Sequence, residues 1–144
     1  MVFIQFNDAE RKDLGALDQF GYVFDWTLRS ANRSFIVGSI HDGDIAGLIE
    51  FERRPEGLYN FIWLIEVALS YRGSSVAGEL LAYVGKDSLQ QGFEGFMLLE
   101  AKTKLYHYFQ IRYGAKPALG RNLFFDEQAT RTLIAEYLPE KEQK

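Results

Sequence analysis

A chain of 144 residues with 47% hydrophobic and 15% aromatic side chains has the size and apolar content of one globular domain with a ring-rich core. The absence of cysteine excludes disulfide frameworks, zinc–thiolate sites and a thiol nucleophile, and it suits a reducing compartment. A net charge of −4 argues against a protein whose main task is to hold a nucleic-acid backbone, because its cationic pieces, "FERRPEG" and "QIRYGAKPALGR", are too short and separate to form a stripe.

The N-terminus, "MVFIQFNDAERKD", is apolar at once and then charged, unlike a signal peptide. The longest apolar run, "FIWLI", is too short for a bilayer. The expectation is a soluble cytoplasmic protein with neither a membrane nor a nucleic-acid partner.

"VFIQF" reads as a first strand. Asn7 or Asp8 can cap a helix carrying Leu14 and Leu17, which Gly15 and Gly21 weaken, so residues 7–32 form a broken helical region. "RSFIVGSIHDGDIAGLIEFERR" is a hairpin turning at Asp-Gly. After a turn at "PEGLYN", "FIWLIEVAL" is a third strand, completing an antiparallel meander. "GSSVAGELLAYVGKDSLQQG" is an amphipathic helix with Val76, Leu80, Tyr83, Val84 and Leu89 on one face, stopped by Gly92. "FEGFMLLEAK" is a buried strand. "TKLYHYFQIRYGAK" is a second helix with Leu105, Phe109 and Ile111 or Arg112 near one side, ending at Gly114. "RNLFFDE" is a short strand, "QATRTLIAEYL" a terminal helix carrying Leu133, Ile134 and Tyr137, and residues 139–144 are expected to fray. The sum is a single α/β (α+β) domain over residues 1–144, with a mixed, mostly antiparallel central sheet flanked by helices.

The densest chemical signal is "EVALSYRGSSVAGELLAY", where a strand hands over to a helix. A helix start leaves backbone N–H groups without partners and carries partial positive charge, so a phosphate can settle there if the approach is lined by small residues. Gly73, Ser74 and Ser75 are small, Arg72 is charged, and Ala77 and Gly78 keep the first turn free of bulk. The spacing alone equally allows a serine N-cap on an ordinary helix with Arg72 in water.

In context, the junction resembles the pyrophosphate-binding motif of the Gcn5-related N-acetyltransferase (GNAT) superfamily. There Gln or Arg, two residues, Gly, one residue, then Gly or Ala link the fourth strand to the third helix. In "RGSSVA" Arg72 opens the motif, Ser75 takes the glycine position and Ala77 closes it. "VALSY" is similar to the family's V-x-P-x-Y approach, with Leu69 where proline is frequent, and the order of elements from residue 2 to about 126 matches. Ser75 departs from the pattern by adding a Cβ and a hydroxyl, which can cap the helix or donate to phosphate.

The resemblance implies an acyl-CoA acyltransferase fold with acetyl-CoA as co-substrate. The pyrophosphate would lie on Arg72, Gly73, Ser74, Ser75, Val76, Ala77 and Gly78. The pantetheine arm would pair with the backbone of Val67 and Leu69 in a gap between the fourth and fifth strands, as β-augmentation by a small molecule. Family members often use a carboxylate on the fourth strand as base and a tyrosine on the helix after the fifth strand as acid. Glu66 is the implied base, with Glu50 and Glu52 as rivals, although alternation also allows Glu66 to face solvent. The family's Y-x-x-x-G pattern, counted back from Gly114, lands on Gln110, and a one-residue slip lands on Phe109. The acid is therefore Tyr108 or Tyr106, or the thiolate leaves without one. His41 reads as a loop residue and His107 as an idle helix residue, and two distant histidines give no metal-site spacing.

The expected function is direct acetyl transfer from acetyl-CoA to an amine of a small molecule, peptide or protein. The acceptor pocket is expected from residues 8–33, with Tyr22, Phe24 and Trp26, and from the "FERRPEGLY" turn, where Arg53 and Arg54 could draw an acidic acceptor. The alternative is a GNAT-like CoA-binding module with a regulatory or partner-binding role. A homodimer is left open.

Overall fold

In the computed structural model, which describes residues 2–138, strand β1 (Val2–Phe6) leads into a short helix α1 (Asp8–Arg11) that tightens into a 3-10 helix over Lys12–Phe20. Asn7 is the cap. Its side chain accepts the Glu10 N–H at 2.8 Å while the Glu10 carboxylate accepts the Asn7 N–H at 3.0 Å, a reciprocal capping box. Gly21 ends the segment in left-handed backbone at φ 88°. The expected tail at 139–144 lies outside the described residues.

β2 (Ser34–His41) and β3 (Asp44–Arg54) form the hairpin, turning through Asp42 and Gly43, both at positive φ. β4 (Tyr59–Val67), α2 (Val76–Gln90), β5 (Met97–Glu100), α3 (Thr103–Tyr113), β6 (Lys116–Pro117), β7 (Asn122–Phe125) and α4 (Glu127–Tyr137) follow. The sheet order is β1-β2-β3-β4-β5-β7-β6. Among the described residues only β4 and β5, joined by the crossover through α2, run parallel; the remaining pairs are antiparallel. This is the mixed, mostly antiparallel sheet flanked by helices that the sequence implies, with β6 as an addition.

Three local expectations change. The third strand ends at Val67, and Leu69 belongs to a 3-10 turn over Leu69–Tyr71. α2 is not one-faced. Val76, Leu80 and Val84 are buried together with Leu81, Ala82, Asp87 and Ser88, because β3 and β4 pack on one side and α4 on another. In α3, Leu105 and Ile111 are exposed, and the buried row is Phe109 and Tyr113 with half-buried Tyr106, which is the one-turn spacing of a helix face.

One face of the sheet meets α2, α3 and α4 through Val37, Ile49, Ile62, Met97, Leu99 and Phe125. The other face, over β2–β4, is covered by Leu14, Leu17, Tyr22 and Trp26 against Ile36 and Leu48. Two glycines set how closely the helices approach. A Cβ on Gly47 would stand 2.6 Å from Val76 Cγ1, so glycine there lets the first turn of α2 descend onto β3. A Cβ on Gly78 would stand 2.3 Å from the Tyr137 ring of α4. Alanine in a helix gains about 1 kcal/mol over glycine, whereas overpacking costs about 1–3 kcal/mol. Gly78→Ala is therefore expected to lower stability in urea unfolding, against its helix propensity.

Candidate active site

β4 and β5 are in register over three pairs only, Asn60 with Met97, Phe61 with Leu98, and Ile62 with Leu99. At that point β4 carries a bulge: Leu64 pairs with Glu50 and Ile62 with Phe51, leaving Trp63 without an opposite number. A bulge bends its strand and raises the local twist. From Trp63 onward β4 leaves β5, and a wedge opens between the strands. Ala68 N–H donates to Ala46 C=O at 2.8 Å, and Val67 stands opposite Gly47. Antiparallel alternation then turns the N–H and C=O groups of Ile65 and Val67 toward the wedge. Leu69 lies past the strand end, and its C=O accepts the Arg72 N–H at 3.3 Å.

The strand-to-helix junction sits at the open end of this wedge. Gly73 has φ +82°, and a Cβ there would meet nothing within 4 Å, so the loop has open space above it. Ser74 Oγ donates to Tyr71 C=O and receives the Val76 N–H at 3.3 Å. The first helical bond of α2 is Glu79 N–H to Ser75 C=O. The N–H groups of Ser75, Ala77 and Gly78 have no partner among the described residues. These donors, together with the positive end of a helix of 15 residues, suit an anion.

Two motif side chains are placed differently from the expectation. Arg72, though exposed, is not a free side chain: its Nη2 donates to Gly21 C=O at 2.8 Å and its Nε to Val67 C=O at 3.3 Å, tying the N-terminal segment to β4. Ser75 does not cap the helix, because its backbone is helical (φ −80°, ψ −1°) rather than extended. Its hydroxyl donates instead to Glu79 Oε2 at 2.7 Å. Glu79 is buried, and its other oxygen receives Ser39 Oγ at 3.0 Å and lies 2.8 Å from His41 Nε2. His41 is thus the last residue of β2, bound to the cradle helix. The sequence signal for this network is a single carboxylate inside the apolar run "VAGELLAYV".

Glu66 faces the N-terminal segment. Oε1 accepts the Phe24 N–H at 3.2 Å and the Trp26 Nε1–H at 2.8 Å, and Oε2 accepts the Val23 N–H at 2.6 Å. A carboxylate offers about four acceptor positions, so one remains, on Oε2. Burial, reinforced by the Glu66 charge, pushes the Tyr22 phenol well above its ordinary value and holds it as a donor to Ile45 C=O. The rivals have other work. Glu50 is fully buried, accepts Ser30 N–H, Ser30 Oγ and Ser34 Oγ, and lies 3.9 Å from buried Arg11. Glu52 accepts Trp63 Nε1–H at 3.0 Å.

Phe24 extends from the Glu66-bound loop to Lys102, whose Nζ lies 5.0 Å from the ring centroid, so a cation–π contact joins the β4 side of the wedge to the β5 side. Tyr106 packs toward the core beside Phe109, and Tyr108 is half-exposed, edge-on to Tyr113 at 5.8 Å. Neither makes a hydrogen bond or ring contact with Glu66 or residues 72–78 among the described residues. Gln110 bonds back to Tyr106 C=O. Burial and the neighbouring Tyr108 raise the Tyr113 phenol well above the ordinary tyrosine value. Among the described residues no group of three or more His, Cys, Asp or Glu side chains could hold a metal ion, and no helix is long and apolar enough to cross a membrane.

A family model described as "Acetyltransferase (GNAT) family" matches residues 4–113. The chain belongs to that family. N-acetyltransferase is therefore its enzyme class, and a CoA derivative its co-substrate. Solved GNAT structures share the fold. A GNAT-family acetyltransferase from Staphylococcus aureus Mu50 is 16% identical, covering 88% of this chain and 98% of that one, with a TM-score of 0.63. GCN5 of Tetrahymena is 12% identical over 86% of this chain and 94% of its own, with a TM-score of 0.61. The ribosomal-protein-S18-alanine N-acetyltransferase of Escherichia coli is 11% identical over 85% and 90%, with a TM-score of 0.65. At such identities the likeness is one of fold. No curated protein matches the chain at a significant level. Within this GNAT chain, α4 lies beyond the matched residues.

Proposed function

We propose that the protein transfers acetyl directly from acetyl-CoA to an amine of a small molecule, peptide or protein. The observation that carries this reading is the wedge between β4 and β5 opening beside three unpartnered N–H groups at the start of α2. Ser75, Ala77 and Gly78 would hold the pyrophosphate by their N–H groups, with Gly73, Ser74 and Val76 shaping the cradle. Arg72 supplies fixed positive charge beside it. The Val67 N–H and the N–H and C=O of Ile65 would pair with the pantetheine amides, and Leu69 would contribute its exposed side chain rather than a ladder position. The bound thioester supplies an activated acetyl group: the amine nitrogen attacks its carbonyl, and the C–N bond forms as the C–S bond breaks.

Glu66 is the proposed base. Its three donors fix it on the wedge strand, and the free position on Oε2 can accept the amine proton. Tyr108 and Tyr106 stay as the candidate acids for the departing thiolate. Calorimetry with acetyl-CoA and CoA, followed by a thiol-release assay over an amine panel, tests the proposal. A ligand present at 100 times its Kd stabilises the fold by about 2.7 kcal/mol, so CoA should also raise Tm. No binding and no rise in Tm would overturn it. The second reading, a CoA-binding module with a regulatory role, is favoured by the lack of contact between either tyrosine and Glu66, and it would show as tight binding with no thiol release.

A further inference from the structure

The sheet face opposite α2 is covered only in part. The N-terminal segment packs over β2, β3 and Leu64 of β4. Beyond it the same face carries Phe61 and Trp63 of β4, Leu98 of β5 and Phe124 of β7, none of which packs into either core cluster. Register makes them neighbours: Phe61 stands beside Leu98, and Leu98 beside Phe124. The Phe61 and Trp63 rings meet edge-on at 4.9 Å. The strip begins at Trp63, the bulged and 37% exposed residue where the wedge opens. It ends in a cavity of about 390 Å³ walled by Leu58, Tyr59, Phe93, Phe96, Leu98 and Phe124. Glu94 is the one carboxylate in that wall, and no Lys, Arg or His joins it.

The charges beside Phe61 are paired. Arg54 lies over the Phe61 ring at 4.2 Å, donates to Tyr59 Oη at 3.2 Å and sits 3.6 Å from Glu52. Arg53, expected beside it, turns to the other face and forks onto Asp87 at 2.8 and 3.1 Å. The strip therefore offers neither an acidic trough for a polycation nor an unpaired cation for an acidic acceptor.

We propose that this strip and cavity receive the body of the acceptor, and that the acceptor is a monoamine on an apolar, ring-bearing body. The proposal rests on acetyl transfer at the wedge. The amine lies at the Trp63 end, where its proton reaches Glu66 through water, and the ring lies in the cavity. Two strand residues from Trp63 to Phe61 span about 7 Å, and Leu98, on the near wall of the cavity, lies directly beside Phe61, so amine and ring stand at least about 8 Å apart. A spacer of that length suits phenylbutylamine better than phenylethylamine.

The test measures acetyl-CoA thiol release with phenylethylamine, phenylbutylamine, spermidine and a lysine peptide, using wild type, Phe124→Lys and the conservative Phe124→Leu. Phenylbutylamine is expected to give the highest kcat/KM, exceeding spermidine by about tenfold or more. Phe124→Lys is expected to raise its KM at least about tenfold with CoA affinity unchanged, and Phe124→Leu to retain most of the wild-type KM. A preference for spermidine or the peptide, or an unchanged KM in Phe124→Lys, overturns the acceptor assignment and leaves acetyl transfer standing. A wild-type dimer that Phe124→Lys splits also overturns it, because the strip would then be a subunit face. If CoA does not bind, the transfer reading fails on its own. Direct binding of phenylbutylamine, read by tryptophan fluorescence and lost in Phe124→Lys, would still support the cavity, and its absence from wild type would overturn it.

Discussion

Ser75→Glu is expected to abolish CoA binding in calorimetry, with a loss of at least about 100-fold in affinity. Two like charges about 4 Å apart near a protein surface repel by about 4 kcal/mol, and a tenfold change in Kd corresponds to about 1.4 kcal/mol, so charge alone accounts for such a loss. The larger side chain also fills the open space beside Gly73. Glutamate at this position additionally faces Glu79, which the serine hydroxyl now contacts at 2.7 Å, so the first turn of α2 is strained from below as well. Ser75→Gly separates the two effects. It restores the family's glycine, leaves the N–H donors in place and removes only the bond to Glu79, and it is expected to bind CoA at least as tightly as wild type. Unchanged affinity in Ser75→Glu would mean that the anion site lies elsewhere.

Glu66→Gln is expected to lower kcat by about 10²–10⁴-fold, the range attributed to a positioned general base. The carboxylate also binds Val23, Phe24 and Trp26, and an amide in its place turns an NH₂ toward backbone N–H groups. A stability loss of about 1–3 kcal/mol should accompany the change. The pH–rate profile distinguishes chemistry from folding. A base must be deprotonated to act, so in wild type the rate falls as pH falls through its titration, and that acid limb disappears in Glu66→Gln if Glu66 is the base. Persistence of the limb, with only a lower Tm, would leave Glu66 as the anchor of the N-terminal loop and nothing more.

The meander, α2 and the junction were legible because their determinants are local. Asp42-Gly43 must turn, Gly73 must sit at positive φ, and Asn7 with Glu10 forms a cap within four residues. The buried face of α3 was not legible. Leu105, Ile111, Phe109 and Tyr113 are all apolar enough to face a core, and the choice between them depends on where β7 and α4 lie. The bulge at Trp63 leaves no composition signal, since it is a mismatch between the lengths of β3 and β4 rather than a property of either. Glu79 and His41 are separated by 38 residues, and the donors to Glu66 come from about 40 residues upstream. Such polar contacts become visible only once the sheet has brought the strands together. Arg53 and Arg54 look equivalent in sequence, yet adjacent strand positions face opposite sides, and one turns to Asp87 while the other lies on Phe61.

The bulge also bears on solubility. A strand whose backbone groups face an unfilled gap is a template for pairing with another chain, and long, flat, apolar edges invite aggregation. Beyond Trp63 the exposed stretch of β4 is short and bent, and Arg72 occupies the Val67 carbonyl. A straight strand from another molecule meets too few accessible partners in register to add itself there. A flexible chain carrying only two amides needs much less of the ladder. The irregularity that opens the wedge thus also discriminates by stiffness, admitting a short pliable guest and refusing a polypeptide.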